Sequence, residues 1–106
     1  MKRGPRWSVY LVRCRGGALY AGIATDVARR FAEHEAGGRR AARFLRGRGP
    51  LRLVLQRRLG ALGLALRVER AIKALPKPDK ETLVADPSRL RPLIARARRE
   101  MRRAAG

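Results

Sequence analysis

The sequence contains no asparagine, one cysteine, one histidine and only eight acidic residues among 106. Each scarcity excludes something. A lone cysteine, Cys14, forbids an internal disulfide and is too little for a zinc cluster. No apolar run approaches the roughly 18 residues of a membrane span. Met1-Lys2-Arg3-Gly4-Pro5 leads straight into a strand-like run, with no apolar signal segment between. The expectation is a soluble protein of a reducing, cytoplasmic compartment, with no membrane partner. The shortage of acids matters most. Against 8 acids stand 27 basic residues, 23 of them Arg, giving a formal net charge of +19. Self-repulsion on that scale opposes compaction, and a polyanion relieves it. Nucleic acid is the first candidate, ahead of an anionic membrane surface. Seventeen alanines and the missing asparagine suggest a coding bias toward Arg over Lys, but such a bias does not remove acids.

The hydrophobic pattern predicts ββαβαα followed by a basic C-terminal helix. This is an α/β class, a small sandwich of a three-stranded, mainly antiparallel sheet flanked by helices. Trp7, Val9 and Leu11 alternate with Ser8, Tyr10, Val12 and Cys14; Arg15-Gly16-Gly17 is a turn signal, and Ala18 to Ile23 a second strand. Thr25 is a candidate helix cap, with Asp26 in the first turn and Val27, Ala28 and Phe31 as the inner stripe. Gly37-Gly38 ends that helix. Residues 39–50 read as a basic loop with one helical turn at most, around the lone apolar pair Phe44-Leu45. Leu51, Leu53 and Leu55 fall on one side of a third strand, Leu51 to Arg57. A helix over 64–75 buries Ala65, Val68, Ile72 and Leu75, and Pro76 and Pro78 stop it. A shorter helix covers 79–85. Residues 87–106 hold seven Arg and one acid, a tail of +6 with Leu90, Leu93, Ile94, Ala97 and Met101 at helical spacing.

The hairpin turn decides where the two tyrosines lie. A two-residue Gly16-Gly17 turn sends Tyr10 and Tyr20 to opposite faces. A three-residue Arg15–Gly17 loop pairs Val12 with Tyr20 and Tyr10 with Gly22, leaving the tyrosines diagonal neighbours at about 7–8 Å. The second register also gathers Val9, Leu11, Leu19, Ala21 and Ile23 on one apolar face, and is favoured. Two hydroxyls beside Gly22 leave room for a phosphate or another backbone. Arg30 and His34, four apart, share a helix face. Glu69 lies at the border of its helix's buried stripe and is the only acid between Glu35 and Asp79. A hard divalent cation is one partner for such a carboxylate, and a basic side chain such as Arg67 or Lys73 is another. Metal, arginine and hydroxyl together suit phosphodiester hydrolysis. Each residue also has a structural reading: strand tyrosines mostly pack, a lone helix histidine is mostly solvated, and loop arginines mostly face water.

Val9-Tyr10-Leu11 and Leu19-Tyr20-Ala21-Gly22-Ile23 resemble the paired motifs of the GIY-YIG nuclease superfamily. The run Ala24 to His34 is similar to its following helix, and Ala65 to Lys73 to its acidic helix. The likeness is closest to the small stand-alone bacterial members, which are similar to the nuclease domain of structure-specific endonucleases. It spans about residues 7–86, so 1–86 are read as the GIY-YIG-like nuclease domain and 87–106 as a basic, helical tail. The resemblance implies a metal-dependent endonuclease on DNA, branched or flapped DNA included, using one Mg²⁺ or Mn²⁺ and no small-molecule cofactor, with room for a partner protein. It implies that Tyr10 is the general base or positions water, that Tyr20 assists at the scissile phosphate, that Arg30 stabilises the phosphorane, that His34 supports the site and that Glu69 holds the metal. Arg39, Arg40, Arg43, Arg46 and Arg48 are candidates for gripping the nucleic-acid backbone. The chain departs from the family pattern in three places: Val-Tyr-Leu replaces the first motif, Ile23 and Ala24 stand where some members have Lys, and the late Asn is missing. The alternative reading is a noncatalytic DNA- or RNA-binding module on the same fold.

Overall fold

In the computed structural model, which describes residues 4–106, the first unit is the favoured hairpin. Met1–Arg3, the start of the run read for a secretory signal, lies outside the described residues. Strand β1 (Trp7–Arg13) pairs with β2 (Leu19–Ala24) in the register Tyr10 opposite Gly22 and Val12 opposite Tyr20. The Cys14 amide donates to the Ala18 carbonyl at 2.8 Å and closes a three-residue loop. Gly16 and Gly17 occupy it at φ +87° and +97°, a region that side chains resist. Strand β3 (Arg52–Gly60) joins the other edge of β1, so the sheet order is β2-β1-β3, antiparallel throughout.

A β-bulge corrects one expectation. Leu11 pairs with Leu55 but Val12 pairs with Leu53, so two residues of β3 span one step of β1. The extra residue reverses the facing of everything beyond it. Leu55 therefore joins Val9, Leu11 and Ala21, while Leu51 and Leu53 pack on the opposite face with Tyr10 and Val12. Simple alternation puts the three leucines on one side; the bulge separates Leu55 from the other two.

Three helices cover the first face. Helix α2 (Leu62–Ala74) sets Leu64, Val68 and Ile72 into it, and α3 (Lys77–Ala85) adds Leu83. Each fully buried aliphatic side chain is worth about 1.5–3 kcal/mol. Pro78 lies in the first turn of α3 instead of ending α2, because a proline there sacrifices no intrahelical bond. After a single 3₁₀ turn, α4 (Leu90–Ala105) buries Leu90, Ile94 and Ala97 in the same core, with Met101 partly covered. The apolar spacing of four, three and four residues supplies that stripe. Among the described residues no helix is long and apolar enough to cross a membrane.

The opposite face is closed by α1 (Val27–Ala36) and by the 39–51 segment, which contains a 3₁₀ turn at Arg43–Leu45. Asp26, not Thr25, caps α1, its carboxylate accepting from the Arg29 amide at 3.1 Å. Ala28 is exposed instead of buried, and His34 takes the inner position. The hairpin is tied to α3 by a small ion network. Arg13 donates to both oxygens of Glu81 at 2.7 and 2.8 Å, and Lys77 donates to Glu81 at 3.0 Å and to the Gly17 carbonyl.

Candidate functional site

The site begins at the pairing of Tyr10 with Gly22. The Tyr10 ring lies across Gly22 so closely that a β-carbon there would sit 2.6 Å from its Cζ. Glycine is what lets the ring turn along the strand toward α1. Its hydroxyl meets His34 Nε2 at 2.8 Å, and His34 is only 2% exposed. The Ala42 amide donates to His34 Nδ1 at 3.2 Å. A neutral ring that accepts at Nδ1 carries its proton on Nε2, so Nε2–H donates to the Tyr10 oxygen and leaves the phenol proton free to donate elsewhere. Burial holds His34 below the usual histidine range, and the Arg30 charge adds to that effect against the opposing pull of Glu33. His34 is therefore a neutral hub joining Tyr10 to the basic loop, not a solvated helix residue.

Tyr10 is itself buried. Burial pushes its phenol up to about 12; Tyr20 and Glu69 push the same way, and Arg30 pulls it back. Three of the residues singled out in the sequence, Tyr20, Arg30 and Glu69, thus bear on the charge state of one hydroxyl. The Tyr20 ring stands edge-on to His34, with centroids 5.7 Å apart, and is half-exposed. Arg30 donates to Glu33 at 2.9 Å and to the Arg40 carbonyl. Arg29 and Arg40 also flank Glu33, at 3.9 and 3.8 Å, and the Arg30 hydrogen bond holds its carboxyl below the usual range. A cleft of about 330 Å³, lined by Trp7, Thr25, Asp26, Arg29 and Glu33 among others, opens beside Arg30.

Glu69 comes from the far helix, α2. Its side chain is 17% exposed and pairs with Lys73 at 3.4 Å. Among the described residues no three His, Cys, Asp or Glu side chains gather to hold a metal. One carboxylate does not fit a tightly held structural ion. It does fit a hard cation that keeps most of its water and takes further oxygens from a phosphate.

Arg39, Arg40, Arg43, Arg46 and Arg48 are all exposed on the 39–51 segment. The segment is tied to the rest of the chain where the Arg15 amide donates to the Arg48 carbonyl at 2.8 Å and where Arg30 donates to the Arg40 carbonyl, and Arg46 donates within it to the Arg39 carbonyl at 3.1 Å. Sequence reasoning missed two members of this neighbourhood. Glu33 holds Arg30, and Phe44 stacks on Tyr20 with centroids 6.0 Å apart. Phe44 carried a signal, being the only aromatic residue after Phe31. Glu33 is one of two acids on its helix, and nothing local separates it from Glu35.

A family model described as the GIY-YIG catalytic domain matches residues 6–82. A UPF0213 protein of Vibrio cholerae is 53% identical over 85 residues, covering 79% of this chain and 82% of the relative. One of Klebsiella pneumoniae is 46% identical over 90 residues, covering 85% and 83%. The solution NMR structure of a UPF0213 protein from Bacillus halodurans is similar with a TM-score of 0.50 and 39% identity, covering 76% of this chain and 83% of that one.

Proposed function

The chain belongs to the GIY-YIG catalytic domain family, a family of nucleases, and on that premise we propose that it is a metal-dependent endonuclease that hydrolyses phosphodiester bonds in DNA. The observation that carries this reading is the cluster in which Tyr10, whose hydroxyl meets His34 at 2.8 Å, and Tyr20, edge-on to the same ring, share one face of the hairpin beside α1, which carries Arg30. Hydrolysis needs water placed in line with a P–O bond, charge stabilised on the phosphoryl oxygens, and a proton for the departing oxygen. Arg30 lies in a surface cleft with one fork on Glu33, and its remaining donors serve a phosphate. Tyr20, partly buried and edge-on to His34, supplies the second hydroxyl of the cluster. Tyr10 positions the attacking water through its hydroxyl; burial holds its proton up to about 12, so taking the water's proton requires the Arg30 charge and a bound cation to lower it, and the departing oxygen takes its proton from solvent. Glu69 would hold Mg²⁺ or Mn²⁺ jointly with substrate oxygens; when bound, that ion supplies positive charge against the developing oxyanion. The exposed arginines of the 39–51 segment grip backbone phosphates without reading bases.

One observation favours a second reading, a noncatalytic nucleic-acid-binding module: Tyr10 is covered and Arg30 is already engaged by Glu33 and the Arg40 carbonyl. The two separate in one experiment. Labelled duplex, flap and four-way DNA are incubated with the protein and Mg²⁺ or Mn²⁺, beside Glu69→Ala and Tyr10→Phe. The nuclease reading expects cleavage by the wild type, strongest on the branched forms, and a loss of about 100-fold or more in Glu69→Ala. Tight binding without cleavage by the wild type selects the module. Cleavage that survives both substitutions removes the site.

A further inference from the structure

Phe44 is 42% exposed, on a segment otherwise crowded with arginine. Its neighbour Leu45 is buried, so the 3₁₀ turn at Arg43–Leu45 uses one apolar residue as an anchor and turns the other outward. The outward ring has a defined place. It lies 20° from parallel with the Tyr20 ring, and the Arg48 guanidinium sits over it with Cζ 4.4 Å from the centroid. Tyr20 in turn meets His34, and His34 holds Tyr10. A continuous aromatic path therefore runs from the buried Tyr10 to the surface at Phe44. The Ala42–His34 and Arg15–Arg48 hydrogen bonds brace the backbone on either side of that ring.

We infer that Phe44, with Arg48, is a stacking platform for an unpaired nucleobase flanking the phosphodiester that the site addresses. The inference rests on the nuclease reading for the position of that phosphate, but stacking can be measured without cleavage. An exposed aromatic among cationic side chains is the arrangement by which proteins hold single-stranded nucleic acid: the cations follow the phosphates and the ring takes a base. The Arg48 cation over this ring, 4.4 Å from its centroid, marks the ring as a binding surface that a nucleobase can compete for. A base inside a duplex has both faces covered by its neighbours, so the platform selects a nucleotide that is unpaired, as in a single strand, a flap or a loop. Phe44 thereby becomes a specificity residue, distinct from the backbone grip of the arginines.

The test uses the full chain in EDTA, so that binding is read without hydrolysis. Fluorescence anisotropy follows a labelled 12-nucleotide single strand and a series in which an abasic spacer replaces one nucleotide at a time, every phosphate being kept. For the wild type, one spacer position is expected to weaken binding about 5- to 150-fold, the range for loss of one base–aromatic stack. Phe44→Leu, which keeps apolar bulk against Tyr20, should bind the intact strand that much more weakly and show no further loss with the spacer. Phe44→Trp should restore the spacer effect. A wild type indifferent to the spacer at every position overturns the inference, as does a spacer penalty that persists in Phe44→Leu. A Phe44-dependent penalty without any cleavage in Mg²⁺ would leave the platform standing and remove the nuclease reading. Cleavage without a penalty would do the reverse.

Discussion

Gly22 and His34 act on the same hydroxyl from opposite directions. The glycine leaves the space through which the Tyr10 ring passes, and the histidine meets it at the far end. Gly22→Ala puts a methyl group against the ring, and either the strand or the tyrosine must shift. Overpacking of this kind costs about 1–3 kcal/mol, so the urea midpoint should fall by a corresponding amount and cleavage should fall with it. An unchanged midpoint would show that the ring moves freely and that the close approach is incidental. The tyrosines' shared face was legible in the sequence, because the length of the glycine loop sets the register and the register sets the face. The burial of His34 was not. It depends on the Ala42 amide arriving from a loop eight residues on, and no local pattern encodes that meeting.

At the scale of elements, alternation and helical spacing located every strand and helix, since each buries a stripe whose period is local. They failed where pairing is long-range. The bulge that separates Leu53 from Leu55 arises from how β3 meets β1, which neither strand encodes alone. The Arg13–Glu81–Lys77 network belongs to the same class, with partners up to 68 residues apart. Its hydrogen bonds from Arg13 and Lys77 hold the Glu81 carboxyl down to about 2, against an ordinary 4.5. A carboxylate depressed in the folded state contributes stability that is complete above the unfolded value and disappears as pH falls through the folded one. Glu81→Gln should therefore lower the urea midpoint at neutral pH, and its difference from the wild type should shrink as pH falls from 4.5 toward 2. The groups are partly exposed, so the effect is modest and weakens with salt. A difference that is the same at every pH would mean that the hairpin is held to α3 by packing alone.

Across the whole molecule, charge and chemistry separate. Of the net charge of +19, the exposed 39–51 segment and α4 carry +5 each, and Arg52, Arg57 and Arg58 of β3 add +3. Glu69 is one of only eight acids and lies apart from that surface, partly buried on α2. On the proposed function, binding falls to the many arginines and hydrolysis to a few residues around Tyr10. The most direct measurement compares wild type and Glu69→Gln on one labelled flap DNA, reading affinity in EDTA and the single-turnover cleavage rate in Mg²⁺. The account predicts affinity within a few-fold of wild type and a rate lower by about 100-fold or more. Equal cleavage rates in the two proteins would contradict it.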